Sequence, residues 1–236
     1  MPQHERTTDM GNRLLAAMPQ AERDRIEPDL ETVPLELRAE LYGVNAPVDH
    51  VYFPHEGVVS LLNVLEDGTA VEFATVGNEG MAGVAVLLGA SSMPSKAFAQ
   101  IPGTASRMAA KAFRDALPKT PAFHALLLRY TQALLNQIAQ SATCNRIHPI
   151  EERCARWLLM THDRVKAKHF PLTQEFLAQM LGVRRPSVSV AAGMLQKAGM
   201  IRYTRGTMTI LDREALEAVS CPCYGIVRTD FERLLR

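Results

Sequence analysis

Residues 172–197 read LTQEFLAQMLGVRRPSVSVAAGMLQK, and the fold turns on this stretch. The pattern predicts two short helices around a tight turn. Thr173 suits the N-cap of the first, where a side-chain oxygen accepts a free helix N–H. Phe176, Leu177, Met180 and Leu181 fall at helical spacing and form an apolar face. Gly182 follows at the helix exit, in the left-handed region that glycine occupies cheaply. Val183 plugs the turn. Pro186 fits the first turn of the second helix, where a missing N–H is no loss. Val188, Ala191, Met194 and Leu195 are expected on the buried side of that helix. Arg184, Arg185, Ser187 and Ser189 gather at or near its N-terminus with no acid among them. This is a helix-turn-helix whose second helix can offer basic and hydroxylic groups to a DNA major groove.

Downstream, Gly199-Met200-Ile201 ends the second helix. Ile201–Tyr203 and Thr207–Leu211 read as two strands around Thr204-Arg205-Gly206, a hairpin wing. Helix, turn, basic helix and hairpin in this order resemble the DNA-binding domain of the Crp–Fnr family, the cyclic-AMP receptor protein and its relatives. An ordinary helical hairpin in a core is the alternative. Upstream, HVYFP, GVVSLL, DGTAVEFATVG and EGMAGVAVLLG are similar to the β-roll sensor domain of the same family. The resemblance spans roughly residues 12–236.

The resemblance implies an α+β chain in three parts. An N-terminal β-roll of the cyclic-nucleotide-binding, jelly-roll kind occupies 1–120. A dimerisation helix and hinge follow at 121–148. A winged helix-turn-helix with a C-terminal helical tail takes 149–236. It also implies a homodimeric transcription regulator that binds an inverted repeat in double-stranded DNA. RNA polymerase is a further expected partner, and no enzymatic activity is expected.

Charge is divided unevenly. From Asn145 to the end, 15 Lys and Arg face 9 Asp and Glu, a balance of +6; the residues before it carry 11 and 16, a balance of −5. An acidic front and a basic back suit a sensor joined to a nucleic-acid binder. No apolar run is long enough to span a bilayer. MPQHERTTDM is polar, reads as frayed, and lacks a signal-peptide core. The expected location is the cytoplasm, where the four cysteines stay thiols.

Within the front half, Val51–Pro54, Gly57–Leu65, Thr69–Val76, Lys96–Ile101 and Thr104–Ala109 read as short strands with Gly-marked turns. They suggest a small antiparallel barrel or sandwich. From Ala122 to about Asn145 the pattern turns helical. Phe123, Leu127, Tyr130, Leu134 and Ile138 form a seam expected to bury against an identical helix. The alternative is a core helix inside one subunit. Leu126, Leu128 and Leu135 lie off that seam and are expected to pack on the β-roll. Ile150–Val165 forms the next helix, with Trp157, Leu158 and Leu159 as its core face and the hinge near Asn145–Pro149.

In the cyclic-nucleotide-binding members that the sensor resembles, a Gly-Glu pair begins the ligand loop and an Arg neutralises the phosphate. Here Gly83 takes the Gly, Val84 falls at the Glu and Ser95 at the Arg. Val84 cannot accept a hydrogen bond, and Ser95 leaves a buried anion without a partner. Lys96 is adjacent, but neighbours in a strand face opposite sides. Tight cyclic-AMP binding is therefore not expected, and no cofactor is predicted. Another small-molecule effector remains open.

The cysteines invite a metal or redox reading. The iron–sulfur members of the family cluster theirs near the N-terminus, whereas the first cysteine here is Cys144. Cys154 reads as a small buried group. Cys221 and Cys223 supply two thiolates, too few for a closed zinc site without partners; no metal is expected. Cys223, Tyr224, Val227, Phe231 and Leu234 read as one side of a packed final helix. No HExxH spacing, nucleophile elbow or phosphate loop is present.

Arg184 and Arg185 are the foremost candidates for base-edge or phosphate contact, since Arg bridges guanine O6 and N7. Ser187 and Ser189 are candidates for bases or phosphates. Thr173, Gln174 and Arg205 suit the DNA backbone. Val190 and Pro186 stand where the resembled receptor carries polar and acidic groups, implying a different target. A ligand-binding or protein-interaction module that no longer engages DNA is the competing reading.

Overall fold

A computed structural model describes residues 11–165 and 167–234. The polar stretch 1–10, expected to be frayed, lies outside the described residues. Two short helices, α1 (Arg13–Ala16) and α2 (Gln20–Ile26), lead into the N-terminal sheet. Its strands are β1 (Glu31–Leu35), β2 (Glu40–Tyr42), β3 (His50–Val64), β4 (Ala70–Val76) and β5 (Ser95–Ala109). They pair antiparallel in the order β1-β5-β3-β4, with β2 also on β5.

The four segments read as separate short strands in the outer parts of β3 and β5 are two long continuous ones. The register of β3 on β5 shifts between Pro54 and Val59, so bulges bend the strands instead of ending them. Gly57 sits at φ +87° in this bend, and a Cβ on Gly103 would meet the Glu56 carbonyl at 2.1 Å. Only glycine permits the two strands to approach this closely.

Helix α3 (Val84–Leu87) lies between β4 and β5, and α4 (Ala110–Ala116) follows β5. The long helix α5 (Pro121–Ile147) then runs along the β-roll. Phe53 gathers the rings of Phe113 and Phe123 at 6.3 and 6.0 Å. The Tyr130 hydroxyl donates to the Met81 carbonyl at 2.9 Å.

This placement corrects the expected seam. Phe123, Leu127, Tyr130 and Leu134 are buried inside the one subunit, and Ile138 is half-buried beside them. Conversely, Leu128 and Leu135, expected on the β-roll, are 50% and 56% exposed, although Leu135 also borders the cavity between the β-roll and α5. Leu126 is buried as anticipated. The β-roll is apolar and adjacent, so it takes the wider stripe of bulky side chains. Ala125, Leu128, Gln132, Leu135, Ala139 and Ala142 form an exposed stripe instead. Their spacing alternates three and four, the period of a coiled-coil seam.

The C-terminal part contains α6 (Ile150–His162), α7 (Gln174–Leu181), α8 (Arg185–Lys197), α9 (Arg213–Val219) and α10 (Cys223–Leu234). Its small sheet has the order β6-β8-β7, from β6 (His169–Pro171), β7 (Ile201–Thr204) and β8 (Thr207–Ile210). Among the described residues no helix is long and apolar enough to cross a membrane.

Candidate nucleic-acid interface and sensor pocket

The helix-turn-helix forms as its local signals require. Thr173 caps α7 by accepting from Phe176 N–H at 3.1 Å. Gly182 takes φ 62° and ψ 39° at the exit. Pro186 sits in the first turn of α8. Val188, Ala191 and Leu195 are buried, but Met194 is 55% exposed. Met194 thereby joins Val190 on the outer side, correcting its expected place in the core. At the wing, Arg205 and Gly206 have φ of 48° and 78°. Two successive positive φ angles make the tight hairpin turn that suits twisted strands.

Arg184, Arg185 and Arg205 are exposed, and Ser187 is half-buried. Ser189 Oγ donates to Gln174 Oε1 at 2.7 Å, so this hydroxyl ties α8 to the start of α7. The first turn of α8 carries no acid. The exposed face thus combines guanidinium groups, a hydroxyl, and the apolar Val190 and Met194, which suit thymine methyl groups.

A cavity lies between the β-roll and α5, with a volume of about 290 Å³. Tyr42, Leu61, Phe73, Met81, Val84 and Leu134 contribute to its wall. Gly83 adopts φ 95° at its edge, and Val84 turns an isopropyl group where an acceptor would be needed. Ser95 is buried but does not line the cavity. Lys96 instead lines a groove with Phe98, Thr173 and Phe176. Among the described residues, no Lys, Arg, Asp or Glu lines the cavity. Burial holds the Tyr42 phenol up, at about 12, so it is neutral.

The two parts of the chain meet through a polar junction that sequence reasoning missed. Glu72 on β4 is buried, accepting from Trp157 Nε1 on α6 at 2.7 Å. Ser60 Oγ lies 2.6 Å from Glu72 Oε2 and 2.5 Å from Gln100 Oε1. One hydroxyl proton cannot serve two acceptors; with the Gln100 amide turned, its otherwise unpartnered Nε2 donates to Ser60 and the hydroxyl donates to Glu72. Burial pushes its carboxyl up to about 7, against hydrogen bonds from Ser60 and Trp157 and the positive charge of Arg156 and Arg164. Close by, Arg164 pairs with Glu79 at 2.7 Å, both nearly fully buried. Phe176 of α7 meets Phe98 of β5 edge-on, with ring centroids 5.9 Å apart. Arg153 donates to the Leu181 carbonyl. Glu72 gave no signal because a lone acid in an alternating strand reads as solvent-facing. Here α6 and α7 cover that face.

The cysteines also converge. Cys144 near the end of α5, His148 at its C-cap, Cys221 in the turn before α10 and Cys223 at the start of α10 place one ligand atom each within 4.8 Å of all the others. The two thiolates read from sequence therefore do have partners, contributed by residues about 75 positions away.

Family models match both parts of the chain. A cyclic nucleotide-binding domain matches residues 33–120, and a Crp-like helix-turn-helix domain matches residues 152–219. Among solved structures, FixK2 from Bradyrhizobium japonicum is 19% identical, covering 81% of this chain and 98% of that one with a TM-score of 0.69. The c-di-GMP responsive global regulator CLP from Xanthomonas campestris is 13% identical, covering 81% and 99% with a TM-score of 0.67. A CRP/FNR-family transcriptional regulator from Thermus thermophilus is 22% identical, covering 80% and 98% with a TM-score of 0.63. No curated protein matches the sequence. At these identities the structural likeness establishes the fold. The two domain matches in this order make the chain a member of the Crp–Fnr family of transcription regulators.

Proposed function

We propose that this chain is a cytoplasmic regulator that binds an inverted-repeat DNA site as a homodimer and is not controlled by cyclic AMP. The observation that carries this reading is the outer face of α8. Arg184 and Arg185 stand exposed there beside the wing Arg205, with no acid in the first turn. Arg185 suits a base edge; Arg184, Arg205 and Thr173 suit phosphates. Gln174, held by Ser189, suits a fixed phosphate contact, and Ser187 a base or phosphate. RNA polymerase is a further partner of such a regulator.

The exposed α5 stripe of Ala125, Leu128, Gln132, Leu135, Ala139 and Ala142 is the surface a second copy would cover. The reading requires that the paired copies, when bound, present two recognition helices about one DNA turn apart. The largely apolar cavity, lined by no charged side chain among the described residues, suits an uncharged effector. A cyclic phosphate would meet no counter-charge in it.

The test is selection of bound duplexes from a random pool with the purified protein, first alone and then with a small-molecule extract. An inverted repeat with half-sites about one turn apart is expected. No enrichment under either condition would reject the reading in favour of a module that does not bind DNA. On the selected site, Arg185→Ala should lose about 1–3 kcal/mol of base discrimination. Unchanged preference at every base would remove Arg185 from base reading. Cyclic AMP should give no micromolar binding by calorimetry.

A further inference from the structure

Cys144, Cys221 and Cys223 form a small buried cluster of their own, apart from the main hydrophobic core. Cys144 Sγ lies 3.5 Å from Cys221 Sγ, and Cys223 Sγ lies 3.5 Å from His148 Nδ1. Cysteines that merely fill a core have no reason to converge on an imidazole nitrogen. Three thiols and an imidazole gathered within 4.8 Å are a donor set that one tetrahedral ion can use. With Zn–S near 2.3 Å and Zn–N near 2.0 Å, tetrahedral ligand atoms stand roughly 3.5–4 Å apart. The observed separations need only small adjustment to reach this.

The surroundings fit the charge of such a site. Gln140 Nε2 donates toward Cys223 Sγ at 3.0 Å, orienting it and favouring the thiolate. Three thiolates around a divalent ion leave one net negative charge. Arg153 and Arg156 act electrostatically on Cys144 and Cys221, and each has a buried Nε with no hydrogen-bond partner. A nearby anionic centre would be favoured by the charge of these two guanidinium groups.

We propose that Cys144, His148, Cys221 and Cys223 bind one Zn²⁺ ion in a closed, structural site. Sulfur-rich tetrahedral ligation selects Zn²⁺ over the hard divalent cations, and a multi-iron cluster would hold its cysteines farther apart. The ion clips the C-cap of α5 to the turn between α9 and α10. This is the hinge between the long helix and the DNA-binding domain. The C-terminal helix already lies along α5, with Arg129 Nε donating to the Leu234 carbonyl and the Tyr130 and Phe231 rings 6.3 Å apart. The ion fixes the other end of that contact. The site stands independently of whether α8 reads DNA.

The experiment is metal analysis of the full-length protein purified without added metal or oxygen, followed by chelation and titration with Co²⁺. One zinc per chain is expected. Co²⁺ should give the visible bands of a tetrahedral ion and thiolate-to-cobalt charge transfer, both abolished by adding Zn²⁺. C144S, C221S and C223S should each lose these bands, while C154A, buried elsewhere, keeps them. Gln140→Ala should keep the bands and weaken binding about 10-fold. The proposal is overturned by absence of both zinc and cobalt uptake in fully reduced protein, by iron with acid-labile sulfide, or by a Cys144–Cys221 disulfide in the oxygen-free preparation. The wild-type titration decides the matter even where a variant fails to fold.

Discussion

Two faces of α5 carry apolar side chains to different ends. On the inner face, Phe123, Leu127, Tyr130 and Leu134 are buried against the β-roll, and the Tyr130 hydroxyl is satisfied by Met81. On the outer face, Leu128 and Leu135 stand half in solvent among alanines and a glutamine. The inner face uses bulky side chains to fill a fixed cavity wall. The outer face uses small residues and a narrow leucine stripe, which lets another helix approach closely. Stability therefore belongs to one face, and the proposed association to the other.

That contrast is open to direct attack. Leu127→Ala should cost about 2–5 kcal/mol of folding stability, because it empties a fully buried site. Urea denaturation measures it; a loss under about 0.5 kcal/mol would mean the inner face is not core.

The junction on the far side of the sheet gives the next largest effect. Glu72 titrates at about 7 in the fold against 4.5 when exposed. The fold thus holds the proton more tightly than the unfolded chain does. This contribution is complete below about pH 4.5 and is lost as pH rises through about 7, on the order of 3 kcal/mol. Glu72→Gln should flatten this slope in denaturation curves taken across the window. An unchanged slope would assign the pH dependence to other groups.

The smallest effect on folding is expected from Leu135→Arg, within about 0.5 kcal/mol of the parent subunit. The same change should abolish self-association in sedimentation. A folded but still dimeric Leu135→Arg protein would place the second copy elsewhere.

Legibility in the sequence followed the range of the interactions. The helix-turn-helix was readable because its signals are local: a capping Thr173, a left-handed Gly182, Pro186 in the first turn, and a Gly206 wing. Periodicity also found α5, yet it could not rank two apolar stripes on one helix. Which stripe meets the β-roll depends on a sheet folded from residues far away. Met194 escaped for a related reason, since α8 offers more apolar positions than its core contact consumes. Glu72 and the Cys144–His148–Cys221–Cys223 quartet were invisible because their partners come from distant elements. The loop expected to be degenerate lay between these cases. Val84 and Ser95 could be judged one by one, but the diversion of Lys96 to the groove beside α7 needed the sheet.

The central claim is that two chains, joined through the outer face of α5, read one DNA site. Native mass measurement of the wild-type protein and Leu135→Arg on a selected duplex tests it most directly. The account predicts two chains per duplex for the wild type and one or none for the variant. A single wild-type chain per duplex, or two chains of Leu135→Arg bound as tightly as the parent, would contradict it.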